Sequence, residues 1–281
     1  MSTTMGTTLT RLSPLVPPRR HRSVHGIMVA AGAIVLTATT LWPAHADEPP
    51  VEEVRERNVI RKQLPKHVKS LALEYTVISV DDNGRERHVD PHAHTFAVGD
   101  SFLVRIRPKD DVYVYVFNEG PTGDRVCLLP SEGEQPHLVK KDAEITLPDD
   151  GGYFTFSEPA GDEKLVVVAL TEPDDDLRLL ASAVFKSGRS AAATLSSEQR
   201  EAKKQADSGM DSLRQRAGKG VQSRGPVRKL VERTESLGVG ERVTHVEPPR
   251  AGETSSYGIA VSAGEPELFL DIQLRSQAPA K

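Results

Sequence analysis

Apolar and polar positions divide the chain into three regimes. The stretch "LALEYTVISV" from Leu71 alternates with a period of two and is rich in β-branched residues, which predicts a strand. "DDNGRE" follows, and Asn83-Gly84 predicts a tight hairpin because both residues tolerate positive φ. The next strand is expected through Arg87 towards Asp90, where Pro91 interrupts pairing. "SFLVRIRP" and "DVYVYVFN" read as a tight strand pair. In the first, Phe102, Val104 and Ile106 oppose Leu103, Arg105 and Arg107. In the second, Val112, Val114 and Val116 alternate with Tyr113, Tyr115 and Phe117. The second strand is apolar on both sides, which places it centrally in a sheet. "RVCLLP", "HLVK", "EITLP", "GGYFTFSE" and "EKLVVVAL" continue the series with Gly and Pro between them.

After Pro173 the period becomes helical. "DDDLRLLASAVFKSG" has acids to cap its start, Gly188 to stop it, and Leu177, Leu180 and Val184 on one face. "LSSEQREAKKQADSGMDSLRQRAGKG" opens with a capping box, Ser196 to Gln199. Its few large apolar residues predict a mostly exposed helix, and one reading makes residues 195–237 a self-assembly segment. "PVRKLVERTESLG" predicts a short third helix. The chain closes with "SSYGIAVSAGEPELFLDIQLRS", two strand runs. The fold class expected is mainly β: an antiparallel β-sandwich with appended α-helices near the C-terminal half.

Residues 1–46 stand apart. They hold no Asp or Glu, carry Arg11, Arg19, Arg20 and Arg22, and end in an apolar run closed by "AHA" before Asp47. This is the pattern of an export signal peptide cleaved near Ala46, giving a periplasmic or extracellular product without a stable membrane span. The expected organisation is then a flexible segment over 47–69, a β-sandwich core over 70–173, a helical segment over 174–237, and a loop with strands rejoining the sheet over 238–281. Without the first 46 residues, 32 basic residues face 40 acidic ones. That negative balance argues against nucleic acid as a partner and leaves a protein or a cell-envelope component. Cys127 has no second cysteine to bridge to and sits in an apolar run, as a buried inert thiol would.

Candidate chemistry is confined to one stretch, "HVDPHAHTFAVGD". In an extended segment residues two apart share a face, so His92 and His94 would reach one zinc ion. His88 would join them, with His137 or Asp90 completing the set. The spacing matches no dedicated metal motif, and the primary reading is polar histidines leading into a strand. A zinc site on His88, His92 and His94, with a metal-dependent hydrolase as its consequence, is the alternative. G-x-S-x-G, S-x-x-K, H-E-x-x-H, C-x-x-C and P-loop patterns do not occur.

Several separated pieces fall in one order. They are Phe96 before Gly99-Asp100, the Tyr113-x-Tyr115-x-Phe117 strand, Leu129-Pro130, Ile145-x-Leu147-Pro148, Phe154 and Phe156, then Gly161-x-Glu163 and an apolar run. Over about residues 92–172 this resembles the domain of unknown function family numbered 4384. The resemblance implies a bacterial β-sandwich module, found in exported proteins and attached to kinases or caspase-like peptidases. The family has no established activity, so no catalytic residue carries over, and the expectation is a non-enzymatic binding or structural module. The Tyr and Phe residues are expected to fill the sandwich interior.

Overall fold

The computed structural model describes residues 61–136, 138–188, 195–216, 227–238, 240–250 and 253–278, with side chains of 227–230 left aside. The expected signal peptide, most of the segment over 47–69, and His137 lie outside the described residues. The protein is mainly β, with thirteen described strands in two sheets and three described helices.

The first sheet holds β1 (Lys69–Val80), β2 (Glu86–Val89), β4 (Ser101–Pro108), β8 (Ile145–Leu147), β9 (Phe154–Thr155), β11 (Arg242–Glu247) and β12 (Ser256–Ser262). Its order is β11-β12-β1-β4-β8, with β2 also paired to β1 and β9 to β4. The second holds β3 (Phe96–Ala97), β5 (Val112–Glu119), β6 (Arg125–Leu129), β7 (Leu138–Val139), β10 (Asp162–Leu170) and β13 (Glu267–Gln277). Its order is β3-β13-β10-β5-β6, with β7 paired to β5. Every ladder is antiparallel except β3 with β13.

Alternation sets which side chains meet between the sheets. Leu71, Leu73, Tyr75 and Val77 of β1 and Phe102, Val104 and Ile106 of β4 face Val112, Val114 and Val116 of β5, Leu165 and Val167 of β10, and Leu268, Leu270, Ile272 and Leu274 of β13. At one point the sheets approach closely. A Cβ on Gly258 of β12 would lie 2.5 Å from Leu270 Cδ2 and 2.9 Å from its Cγ, so the absent side chain is what lets Leu270 rest on the β12 backbone. One end is filled by Phe96, Phe102, Phe154 and Phe156, with ring centroids 4.7–5.7 Å apart. Gly99 feeds β4 into this cluster. Its φ of 98° is open to glycine, its N–H donates to Phe156 O at 2.9 Å, and the Asp100 carboxylate accepts from Ala97 N at 2.7 Å.

Three expectations change. β4 and β5 do not form a hairpin: β4 pairs with β1 and β8, and Lys109–Asp111 carries the chain over to the opposite sheet. Period-two patterning specifies which face each residue takes, and it is silent on which strand lies alongside. The turn at Asn83-Gly84 is a five-residue loop, and only Gly84 has positive φ. The Asp81 carboxylate organises it by accepting from Asn83 N and Arg85 N, both at 2.9 Å. The third concerns Tyr115 and Phe117, which lie on the outer face of the second sheet, away from the sandwich interior.

That outer face is apolar and is covered by helices. α1 (Asp175–Ser187) starts at Asp174, whose carboxylate accepts from Leu177 N at 2.8 Å, and stops at Gly188 with φ 66°. α2 (Ser197–Arg216) carries the capping box, with Ser196 and Gln199 bonded reciprocally at 2.9 and 3.2 Å. α1 presents Leu177, Leu180, Ala181 and Val184, and α2 presents Ala206, Met210 and Leu213, to Tyr115, Phe117, Cys127, Val166, Val168 and Leu170. α2 was expected to be mostly exposed. Only Ala202, Ala206, Met210 and Leu213 of its 20 residues are buried, a narrow stripe in which two alanines allow close approach and Met210 and Leu213 fill the contact. α3 (Val227–Thr234) leads to Leu237, which packs with Val68, Val243 and Val261 on the outer face of the first sheet. Elsewhere that face carries a second buried apolar cluster, Ile78, Val80 and Leu103, and a set of ion pairs. Arg105 pairs with Glu86 at 2.6 Å, Arg107 with Glu144 at 2.7 Å and Lys109 with Glu74 at 2.8 Å.

Gly258→Ala forces the buried Leu270 out of its rotamer. The substitution is expected to cost about 1–3 kcal/mol, measured as a lower urea midpoint with an unchanged slope.

Candidate functional site

The histidine segment is a turn. The Asp90 carboxylate accepts from His92 N at 2.9 Å, and its carbonyl accepts from Ala93 N and His94 N at 3.1 and 2.8 Å. The premise of an extended segment with His92 and His94 on one face therefore fails. His88 is exposed on β2, and His92 is exposed in the turn. His94 sets its ring edge-on to Phe96 at 4.4 Å and caps the aromatic cluster. Burial and the nearby Arg87 charge lower its pKa, which favours the neutral ring. Among the described residues no three His, Cys, Asp or Glu side chains are placed to share a metal ion. His88, His92 and His94 are thus not assembled as a ligand set, and Asp90 is spent on the turn. Beside them is a small cleft of about 260 Å³, with Asp162 and Arg275 on its wall. Asp162 is occupied there by Arg275 Nε at 3.1 Å.

The Gly99-Asp100 turn, the strand of Tyr113, Tyr115 and Phe117, and the paired phenylalanines thus have defined places in one sandwich. Residues 95–173 match the family model Domain of unknown function (DUF4384). The chain carries a DUF4384 domain. No curated protein and no solved structure gives a significant match. The DUF4384 span runs from β3 to β10, so β1, β12 and β13, which flank its strands, come from outside it.

Within the DUF4384 domain, Cys127 is buried under the helical layer, and burial pushes its pKa up to about 12. Its thiol lies 3.4 Å from the carbonyls of Leu129 and Pro130. Burial, with Asp174 next in effect, likewise pushes Tyr115 up to about 12. Neither group is set up as a nucleophile at neutral pH.

Charged side chains pin α2 to the sheet. Glu119 of β5 accepts from Arg125 Nε at 2.7 Å and from Arg214 of α2, and Arg125 also pairs with Asp207. Burial alone would raise the Glu119 pKa; the two arginines outweigh it and hold the carboxylate below its ordinary range. Arg216 at the end of α2 bonds Glu267 of β13 at 3.0 Å and Asp174 at 2.9 Å, and Arg242 of β11 bonds the same Glu267. Asp271 on β13 has the opposite fate. Its Oδ1 is buried without a hydrogen-bond partner, and burial raises its pKa despite the Arg214 and Lys164 charges.

A concavity lies on the outer side of this layer. A groove of about 610 Å³ runs between α1 and α2, lined among others by Gly209, Ser212, Lys186, Glu201 and Lys204. Leu179 stands beside it, 63% exposed. The sequence held one signal for this surface. Leu177, Leu180 and Val184 share a buried face, and Leu179 falls off it. Which helix would lie alongside, and so form the groove, had no signature in the sequence.

Two measurements follow from these environments. Cys127 is expected to resist alkylation at pH 8 in the folded chain and to react at once in denaturant, as mass spectrometry would show. Asp271→Asn is expected to stabilise the fold at neutral pH. The folded-state pKa of Asp271 is raised, so its charge destabilises above that pKa and its penalty vanishes as pH falls below the unfolded value. The gain in urea midpoint should be largest at neutral pH and absent near pH 3.

Proposed function

We propose that this chain is an exported, non-enzymatic binding module of the bacterial cell envelope, with a protein or an envelope component as its partner. The amino-terminal pattern of arginines, apolar run and Ala-x-Ala supports export. The DUF4384 domain supports a modular role. The observation that carries the binding reading is the helical layer. It buries its inner face completely, yet presents an open groove and an exposed Leu179 outward. A leucine left in water beside a concave, mixed-charge rim is suited to docking another protein chain. Among the described residues no helix is long and apolar enough to cross a membrane.

Cell fractionation is expected to recover the chain outside the cytoplasm with Asp47 as its first residue. Affinity capture from envelope extracts should retain a stoichiometric protein with the wild-type chain and lose it with Leu179→Glu. Identical capture by the two proteins would overturn the assignment of this face.

A further inference from the structure

The α1–α2 face is complementary to itself. The helices run antiparallel: Gly188 lies against Gln199, Gly209 against Leu180, and Arg216 against Asp174 and Asp176. Along the exposed row of α1, Asp176 comes first, then Leu179, Ser182 and Lys186. Along the groove side of α2, Glu201 and Lys204 come first, then Gln205, Ser208, Ser212 and Arg216. The α1 row is acidic at its start and basic at its end; on α2 Glu201 and Lys204 offset each other at the start, and Arg216 at the end is paired with Asp174, Asp176 and Glu267. The midpoint of Asp176 and Lys186 falls at Ala181. The midpoint of Glu201 and Arg216 falls at Ser208-Gly209. These midpoints are level with each other, because Leu180 is the residue that touches Gly209. A single two-fold axis through that level therefore reverses both rows at once.

We propose that a second copy of this chain docks on this face, α1 against α1 and α2 against α2, antiparallel about that axis. This rests on the reading of the helical layer as a protein-docking face and names its partner. A closed two-fold contact requires one patch that complements itself, which the α1 row satisfies. Asp176 meets Lys186 of the second copy, and the contact repeats on the other side of the axis. Leu179 meets the partner's small residues near Ser182 and Ala183, where no large side chain blocks it. Ser208, small and exposed, lets the two α2 helices approach at the centre, while the open side of Gly209 is filled by Leu180 of its own chain. Arg216 is already held by Asp174 and Glu267, so Glu201 adds little at that end. The charges select the antiparallel arrangement, and the two buried Leu179 side chains supply most of the affinity. With so little apolar surface the dimer is weak and forms at micromolar to millimolar chain concentrations.

The test is sedimentation velocity on the full chain, expressed from its first residue and purified in the form the cell leaves it. Mass is expected to rise towards twice the monomer with concentration. Leu179→Glu should abolish the rise. Leu179 is exposed, and an unchanged melting curve would confirm that the variant folds. Lys186→Glu should weaken association at least about tenfold, since symmetry applies the change twice. Adding Asp176→Lys to Lys186→Glu should restore it. Ser208→Cys, close to the axis, should oxidise to a crosslinked dimer, and Glu198→Cys at the far end of α2 should not. A chain monomeric at every concentration, or a dimer indifferent to Leu179→Glu, would overturn the proposal. If the chain is monomeric while envelope capture still depends on Leu179, the docking face stands and the second copy is the wrong occupant. If capture is also indifferent, both readings fall.

Discussion

The architecture depends on a strand that has no polar side. β5 carries Val112, Val114 and Val116 on one face and Tyr115 and Phe117 on the other, and β10 beside it repeats the pattern with Leu165 and Val167 against Val166 and Val168. Leaving either face in water would cost roughly 1.5–3 kcal/mol for each large side chain exposed. The inner face is satisfied by the first sheet, and the outer face has to be satisfied by something else. The helices after Pro173 do this, so the segment appended to the DUF4384 span completes its burial. A three-layer stack of sheet, sheet and helices is the result.

The same requirement explains why the matched family span does not close its sheets unaided. β10 gains its second neighbour from β13, and β4 gains β1, one from each side of the span in sequence. Without these strands two long apolar ladders would have unpaired edges. Gly258 shows how closely the distant pieces are fitted, since Leu270 occupies the space a side chain there would take.

Electrostatics holds the helical layer in register at a cost. Glu119 and Glu267 are nearly buried, and each is answered by two arginines, which meets the desolvation requirement for a charge in such a place. Asp271 lies among them without a hydrogen bond to its inner oxygen. The arrangement spends two of α2's last three residues on its inward anchorage and leaves the outward row to Glu201, Lys204, Gln205, Ser208 and Ser212. The helical layer is thus divided between an anchored inner face and an open outer face.

Local pattern in the sequence was sufficient to determine the mainly β class, the two side-chain sets of β4 and of β5, the caps of α1 and α2, and the ordered motif set of the DUF4384 domain. These depend on residues within a few positions of each other, where backbone geometry imposes periods of two and 3.6. Tertiary structure alone decided that β4 and β5 oppose each other across the core, that Tyr115 and Phe117 face helices, and that His88, His92 and His94 do not converge. It also decided that α1 and α2 lie side by side and make a groove. Each of these is set by which distant segment arrives to bury an apolar face or to turn the chain. The free energy of that choice belongs to contacts between residues far apart in sequence, and no local pattern encodes it.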